Sequence, residues 1–99
     1  MALSLETLRG DYREAILSLA NKNHVSDVRV CGSVARGDAR EDSDLDLLVK
    51  SQPGCSLLKL CAMENAISDL LGGIKVDVLT ERTLRDEIAP VVLREAVML

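Results

Sequence analysis

A glycine–serine pair and three aspartates have the residue types and spacing that phosphate chemistry requires. Gly32 and Ser33 end one alternating segment, Asp44 and Asp46 open a second, and Asp77 lies in a third. Because residues i and i+2 of a strand point to the same side, Asp44 and Asp46 share a face. If the second and third segments are neighbouring strands, Asp77 joins them on that face.

Three carboxylates on one patch repel each other, and without a cation some of them would bind protons or destabilise the fold. Mg²⁺ prefers hard oxygen ligands and tolerates a few carboxylates together with substrate phosphates. Two such ions can clamp the attacking and leaving oxygens of a phosphoryl or nucleotidyl transfer. The pattern therefore predicts a catalytic magnesium site with Asp44, Asp46 and Asp77 as its ligands.

The glycine–serine pair predicts the phosphate side of the same crevice. Glycine lets a phosphate approach the backbone closely, and backbone N–H groups at a strand-to-helix turn bind anions. The Ser33 hydroxyl adds a donor, and Arg36 is near enough in the chain to reach a phosphate oxygen. Ten residues separate Ser33 from Asp44, so we expect both halves of the crevice at the ends of two paired strands.

Hydrophobic periodicity predicts the elements that must position these residues. In chain order they are a helix over 4–21 with Ser4 as N-cap, a strand over 26–31, a turn or short helix over 34–38, a strand over 44–50, a helix over 56–71, a strand over 74–79, a short helix opened by a capping box at Thr83, and a last helix begun by Pro90.

The connections predict how the strands are arranged. About a dozen residues join the first two strands without a full crossover helix, so we expect these strands to be antiparallel. A helix joins the second and third strands, so we expect these to be parallel with a right-handed crossover. The fold class is therefore α/β (α+β), a small mixed β-sheet with helices packed on it.

Length and composition limit the class of protein. The 99 residues fit a single domain over 1–99, and the core must be aliphatic because Tyr12 is the only aromatic residue. Tyr12 itself falls on the apolar face of the first helix, so we expect it in the core. No apolar run is long enough to span a bilayer, and the charged N-terminus is unlike a signal peptide. We expect a soluble cytoplasmic protein without a membrane partner.

Charge and cysteine content exclude other classes of site. A net charge of -4 without a basic stripe argues against direct nucleic-acid binding. Cys31, Cys55 and Cys61 have no CxxC spacing and only one histidine accompanies them, so we expect reduced thiols rather than a zinc site.

Two further features have two interpretations each. Lys75 shares the predicted face of Asp77, where it either pairs with an acid or a phosphate or is a solvated edge lysine. The apolar C-terminal residues over 91–93 and 96–99 either pack on the sheet or belong to a protein interface.

The segment GSVARGDAREDSDLDLLV followed by KVDVLT resembles the minimal nucleotidyltransferase domains of the DNA polymerase β-like superfamily. The resemblance covers residues 28–80 and implies the nucleotidyltransferase fold. It implies that Gly32 and Ser33 bind the triphosphate of ATP, and that Asp44, Asp46 and Asp77 bind two Mg²⁺ ions. Within the same pattern, the resemblance adds Arg36 and Ser43 as nucleotide-binding residues.

The resemblance also implies a partner and a reaction. Many small members of this family are encoded beside a HEPN-domain protein and act as the antitoxin of a toxin–antitoxin pair. Some transfer AMP from ATP to a tyrosine of the HEPN ribonuclease and thereby block it. We therefore expect an adenylyltransferase that forms a hetero-oligomer with its toxin and whose acceptor comes from outside this short chain.

Two alternatives remain open at this point. The same domain can neutralise a toxin by stoichiometric binding, with an idle nucleotide site. It can also be a nucleotidyltransferase for small molecules or RNA, although the short length and acidic charge weigh against this. The sequence leaves the identity of the acceptor, the base preference and the oligomeric state undetermined.

Overall fold

A computed structural model describes residues 2–99 of the chain, which form a four-stranded sheet with helices packed on it. The elements are α1 Leu5–Thr7, a π-helical turn Leu8–Tyr12, α2 Arg13–Lys22, β1 Val25–Cys31, α3 Gly32–Arg36, β2 Leu45–Ser51, α4 Leu57–Leu70, β3 Val76–Thr80, a 3₁₀ turn Glu81–Thr83, α5 Ala89–Glu95 and β4 Val97–Met98. The strand order is β3-β2-β1-β4.

The pairing of the predicted strands is confirmed. β1 and β2 are antiparallel, and β2 and β3 are parallel, as their connections require. The parallel register places Leu45 opposite Val76 and Asp46 opposite Asp77. Two aspartates separated by thirty residues of chain are therefore neighbours across the sheet.

The two faces of the sheet differ in chemistry because side chains alternate along each strand. Leu45, Leu47 and Val49 of β2 point to the face that α2 and α4 cover, where the core is aliphatic. Tyr12 is half-buried against this core, which confirms its predicted place. The opposite face displays Asp46, so the carboxylates lie on the side of the sheet away from the main core.

The first helix is confirmed with one irregularity. Ser4 is its N-cap, since its hydroxyl accepts a hydrogen bond from the Thr7 backbone N–H at 3.1 Å. The π-helical turn Leu8–Tyr12 then interrupts the α-helical spacing. After that turn, Ile16 and Ala20 of α2 face the core.

The C-terminal part of the chain departs from the prediction in two places. The capping box at Thr83 was wrong by one turn: Thr80 is the N-cap, and Thr83 closes the 3₁₀ turn from its N3 position. The last residues form β4, which pairs antiparallel with β1 and was not predicted. Leu99 is buried in the core but Met98 is exposed, so the apolar terminal residues pack on the sheet only in part. Pro90 lies in the first turn of α5, as predicted.

Within residues 2–99 no helix combines the length and apolar content that crossing a membrane requires.

Strand β3 is an edge strand, and a helix side chain occupies part of its free edge. The Val78 backbone N–H donates a hydrogen bond to the Glu64 carboxylate of α4 at 2.8 Å. Covering an edge N–H in this way replaces the missing strand partner. Because Asp77 directly precedes Val78, Glu64 also helps to hold the strand segment that carries this aspartate.

We expect Glu64→Ala to lower the free energy of unfolding by about 1 kcal/mol, because the Val78 N–H loses its acceptor. Glu64→Gln keeps an acceptor oxygen and should lose less than about half of that. Urea denaturation of both variants checks the prediction. Equal losses in the two would show that the charge of Glu64 matters rather than its hydrogen bond.

Candidate active site

The predicted aspartates lie where β2 and β3 begin. The Leu45 backbone N–H donates to the Lys75 carbonyl oxygen at 2.9 Å, which aligns the first residues of the two strands. Asp46 then stands beside Asp77 on one side and, through the antiparallel register, beside Cys31 on the other. Cys31, Asp46 and Asp77 therefore form one row across the face of the sheet that lies opposite the main core.

The electrostatics of this row disfavour the ionised form of Asp46. Burial first, then the charges of Asp77 and Asp44 and a hydrogen bond with Asp77, raise the pKa of Asp46 from its ordinary value of 3.8 to about 6. Lys75 acts in the opposite direction and lowers this pKa, though by less. A carboxylate in this position favours either a proton or a cation at neutral pH.

Asp44 is placed differently from the other two aspartates. It immediately precedes β2, and its carboxylate Oδ2 is 3.7 Å from Nζ of Lys75. Both side chains are substantially exposed, so the ion pair is weakly held. Lys75 thus pairs with an acid, as one of its two interpretations expected. In residues 2–99 no three carboxylate, thiol or imidazole groups converge as a closed metal site. That all three aspartates bind metal stays a prediction.

Gly32 lies directly against the Asp46 carboxylate. Its backbone has a φ of +72°, and a Cβ atom added there would be 2.6 Å from Oδ2 of Asp46. Both facts require glycine at this position, since other residues rarely adopt positive φ and no side chain fits in the space. The first residue of α3 and the central carboxylate are therefore in contact, and the two halves of the predicted crevice adjoin.

The two serines of the predicted site have different surroundings. Ser33 is half-buried in α3, and its hydroxyl forms no hydrogen bond with residues 2–99. The Ser43 hydroxyl accepts a hydrogen bond from the Arg40 backbone N–H at 2.8 Å. Ser43 thereby closes the loop that leads into Asp44, while the Ser33 hydroxyl is free to meet a ligand.

Arg36 ends α3 and is held by two carboxylates. Its Nη1 is 2.8 Å from Oε2 of Glu95, and its Nε is 3.2 Å from Oδ2 of Asp38. These hydrogen bonds, that of Glu95 first, raise the pKa of Arg36. Arg36 can bind a phosphate only if it shares its hydrogen bonds with these two carboxylates or gives one of them up.

Sequence reasoning missed Glu95 as a neighbour of the site. It lies in α5, 59 positions after Arg36 in the chain. No periodicity links two positions that far apart. Only the antiparallel return of the chain into β4 brings α5 over the end of β1.

The buried thiol of Cys31 forms one end of the same row. Its Sγ is 3.5 Å from the backbone carbonyl oxygen of Asp46, to which the thiol donates. Burial, followed by the negative charges of Asp46 and Glu95, raises the pKa of Cys31 to about 11. The thiol is therefore protonated at neutral pH and does not add a third anion to the row. All three cysteines are free thiols, as predicted.

Comparison with known proteins identifies the family. The family model described as "Nucleotidyltransferase domain" matches residues 12–99. Protein adenylyltransferase MntA of Thermococcus cleftensis is 38% identical over 95 residues, which cover 96% of this chain and 95% of that protein. A solved structure assigned to a minimal nucleotidyltransferase is 50% identical, with a TM-score of 0.83 over 98% of this chain and 97% of that one.

A more distant structure shares the fold alone. A toxin–antitoxin crystallised with AMP-PNP is 17% identical to this chain, with a TM-score of 0.73 over 88% of this chain and 71% of that one. The fold class predicted from the sequence is thus confirmed, with its mixed sheet and flanking helices. The chain belongs to the nucleotidyltransferase domain family, and it is a nucleotidyltransferase.

Proposed function

We propose that this nucleotidyltransferase is an antitoxin that uses ATP and Mg²⁺ to transfer AMP to a tyrosine of a HEPN ribonuclease toxin. The observation that supports it most is the contact of Gly32 with Asp46, which itself lies beside Asp77. A backbone position that only glycine can occupy and a pair of carboxylates meet at one point of the sheet. This is the combination that a phosphate ester and its counter-ions need.

The residues of the row fit magnesium. Asp44, Asp46 and Asp77 offer hard carboxylate oxygens, and burial, followed by the charges of Asp77 and Asp44, raises the pKa of Asp46. We propose that these three residues hold the metal. When bound, Mg²⁺ would supply charge neutralisation at the phosphates and the leaving group.

The chain's own residues then position the nucleotide. Gly32 admits the phosphates close to the backbone, and the Ser33 hydroxyl donates to a phosphate oxygen. Arg36 adds positive charge at the end of α3, and Ser43 holds the loop before Asp44. The acceptor oxygen bonds to the α-phosphorus of ATP, the bond to the bridging oxygen breaks, and pyrophosphate leaves. The acceptor's hydroxyl proton is released to solvent.

Two lines of support favour a protein acceptor. The Thermococcus relative, which matches nearly the whole chain, bears the name protein adenylyltransferase. The resemblance to small family members encoded beside a HEPN protein favours a toxin as that acceptor. Asp77 is half-buried on the edge strand β3, where a surface tyrosine of another protein would approach it.

Incubation with ATP labelled on the α-phosphate tests the proposal. We expect the chain, Mg²⁺ and the HEPN partner together to produce label on the partner, with the mass of AMP added to a tyrosine. ATP labelled on the γ-phosphate should leave the partner unlabelled, because pyrophosphate departs. Asp77→Asn should reduce the transfer by about 10²-fold or more.

An exposed acid supplies the matched control. Asp69→Asn makes the same change at the end of α4, on the other face of the sheet, and should leave transfer unchanged. Loss of transfer in both variants would contradict the assignment of Asp77. If Asp77→Asn still neutralises the toxin fully in cells, the stoichiometric alternative is correct. Label on RNA or a small molecule instead of the partner would identify the third class.

A further inference from the structure

A groove of about 620 Å³ crosses the same face of the sheet as Asp46 and Asp77. Its lining includes Arg29 and Lys50 from the central strands, Glu81 and Arg82 after β3, and Met98 of β4. None of these residues belongs to the proposed nucleotide site. The groove is therefore distinct from the proposed nucleotide site on this face.

The strand register relates the groove to the carboxylate row. Arg29 is paired with Leu48, and Leu48 with Leu79, whereas Asp46 is paired with Asp77. Side chains two residues apart share a face, so the row of Arg29 lies roughly 7 Å from the row of Asp46. Gly32 follows directly after Cys31, on the other side of the Asp46 row from Arg29. The groove thus begins on the side of the carboxylates that points away from the phosphates.

A β-bulge adjoins Arg29, and Asp27 within the bulge is one of the residues that line this groove. The register of β1 against β2 shifts between Ser26 and Arg29, and Asp27 within the bulge has a φ of +51°. Bulges re-aim a side chain at the cost of local pairing and are common beside functional sites. A regular β1 would instead keep its pairing with β2 unbroken as far as Val25.

The groove has one more cation than it has acids, which are Asp27 and Glu81, although the whole chain has a net charge of -4. Lys50 and Arg82 form no ion pair with residues 2–99. Arg29 uses Nη2 on Glu81 at 3.2 Å, while its buried Nε has no hydrogen-bond partner among the described residues. Leaving a buried guanidinium N–H without an acceptor is unfavourable. The planar donors of a guanidinium match a carboxylate best, because a carboxylate can accept two parallel hydrogen bonds.

An apolar side chain borders these cations. Met98 is 56% exposed and lies opposite Arg29 across the β1–β4 pair. A methionine offers adaptable apolar contact at a binding surface. The groove therefore suits a segment that combines carboxylates with at least one apolar side chain.

We propose that this groove binds an acidic segment of the protein that receives the nucleotide, and so orients the acceptor hydroxyl toward Asp77. The inference rests on the proposed function, because it assumes a protein acceptor. A nucleotide phosphate is a poorer occupant, since the carboxylates lie between the groove and Gly32, where we propose that the phosphates bind. A nucleic acid is also a poorer occupant, because its affinity grows with the number of phosphates neutralised and the groove is lined by three cations.

Charge reversal at the exposed wall of the groove tests the inference kinetically. We expect Arg82→Glu and Lys50→Glu each to raise KM for the acceptor protein about tenfold, because attraction becomes repulsion. KM for ATP and kcat should stay within about twofold of the wild type. Arg85→Glu is the matched control, an exposed arginine three residues from Arg82 that does not line the groove. A raised KM for ATP, or the same effect in the control, would overturn the assignment.

A binding measurement keeps the test independent of catalysis. A labelled peptide of alternating glutamate and leucine should bind the wild type by fluorescence anisotropy, and Arg82→Glu and Lys50→Glu should weaken it while Arg85→Glu does not. Tighter binding of a control peptide of alternating lysine and leucine, or of a single-stranded oligonucleotide, would refute the acidic occupant, as would no binding at all. If the wild type transfers no AMP but binds the acidic peptide, the proposed function fails and the groove assignment stands.

Discussion

Asp46→Asn is expected to abolish AMP transfer and, at the same time, to make the metal-free protein more stable. The pKa of Asp46 is about 6 in the folded chain because burial and the charges of Asp77 and Asp44 disfavour its ionised form. At neutral pH the fold therefore contains a carboxylate that repels its surroundings. Asparagine has the same shape and no charge, so it removes this repulsion.

The sign of the pH dependence follows from proton linkage. Between its ordinary pKa of 3.8 and its folded pKa of about 6, Asp46 binds more protons in the folded than in the unfolded state. The free energy of unfolding therefore falls as pH rises through this window, and the destabilisation is complete above it. Because Asp46 is only half-buried, solvent screens part of the repulsion, and we expect a gain of about 1 kcal/mol for Asp46→Asn above pH 7.

Urea denaturation in the presence of a chelator measures this gain. The difference between wild type and Asp46→Asn should be present at about pH 8 and should be lost at about pH 3, below both pKa values, where the wild-type carboxyl binds its proton in the folded and the unfolded state. Asp69→Asn, an exposed acid, should show no such difference at either pH. A gap of the same size at both values would contradict the electrostatic explanation.

Magnesium should stabilise the wild type much more than it stabilises Asp46→Asn. A cation that binds only the folded state raises the stability of the wild type in proportion to its saturation. Asp46→Asn lacks one proposed ligand and should gain little. A thermal shift with Mg²⁺ that is equal in both proteins would argue against Asp46 as a ligand. The transfer assay, in which we expect a loss of about 10²-fold or more, completes the comparison.

The second large effect is expected from Gly32→Ala. A methyl group there would lie 2.6 Å from Oδ2 of Asp46, so either the carboxylate or the α3 backbone must move. The substitution also places alanine at a φ of +72°, which costs about 1 kcal/mol or more. We expect transfer to fall about 10²-fold, because a displacement of this size disturbs the alignment of the reacting groups.

Gly72→Ala separates the two causes. Gly72 has a φ of +79°, but nothing lies within 4 Å of the position of its added Cβ, and it follows α4 away from the carboxylates. Both variants should lose similar stability in thermal unfolding, while only Gly32→Ala should lose activity. If the two variants retain equal activity, the contact of Gly32 with Asp46 has no role in the reaction.

The adjacency of Asp46 and Asp77 was predictable because two simple rules determine it. A period of two residues determines which side chains share a face, and the length of a connection determines whether strands run parallel or antiparallel. The helix between β2 and β3 is long enough for a crossover, so their parallel pairing followed. The residue types that matter, an aspartate at each position, are visible in the sequence itself.

What the sequence did not reveal depends on contacts between distant segments. The bulge at Asp27 has no turn residue such as glycine to mark it, and the ion pair of Arg36 with Glu95 joins opposite ends of the chain. Strand β4 has two residues, too few for an alternating pattern. Thr80 and Thr83 both fit the spacing of a capping box, so only the observed hydrogen bonds decide which of them is the N-cap.

The contrast among the three thiols has a practical consequence for chemical labelling. The thiolate is the form that attacks alkylating reagents, and Cys31 is both buried and protonated, with its pKa raised to about 11. Cys61 is exposed on α4, the helix on the opposite face from the carboxylates and the groove. Once the half-exposed Cys55 is replaced, a maleimide dye will react at Cys61 alone. The dye would then report the binding of a partner without touching the proposed binding groove.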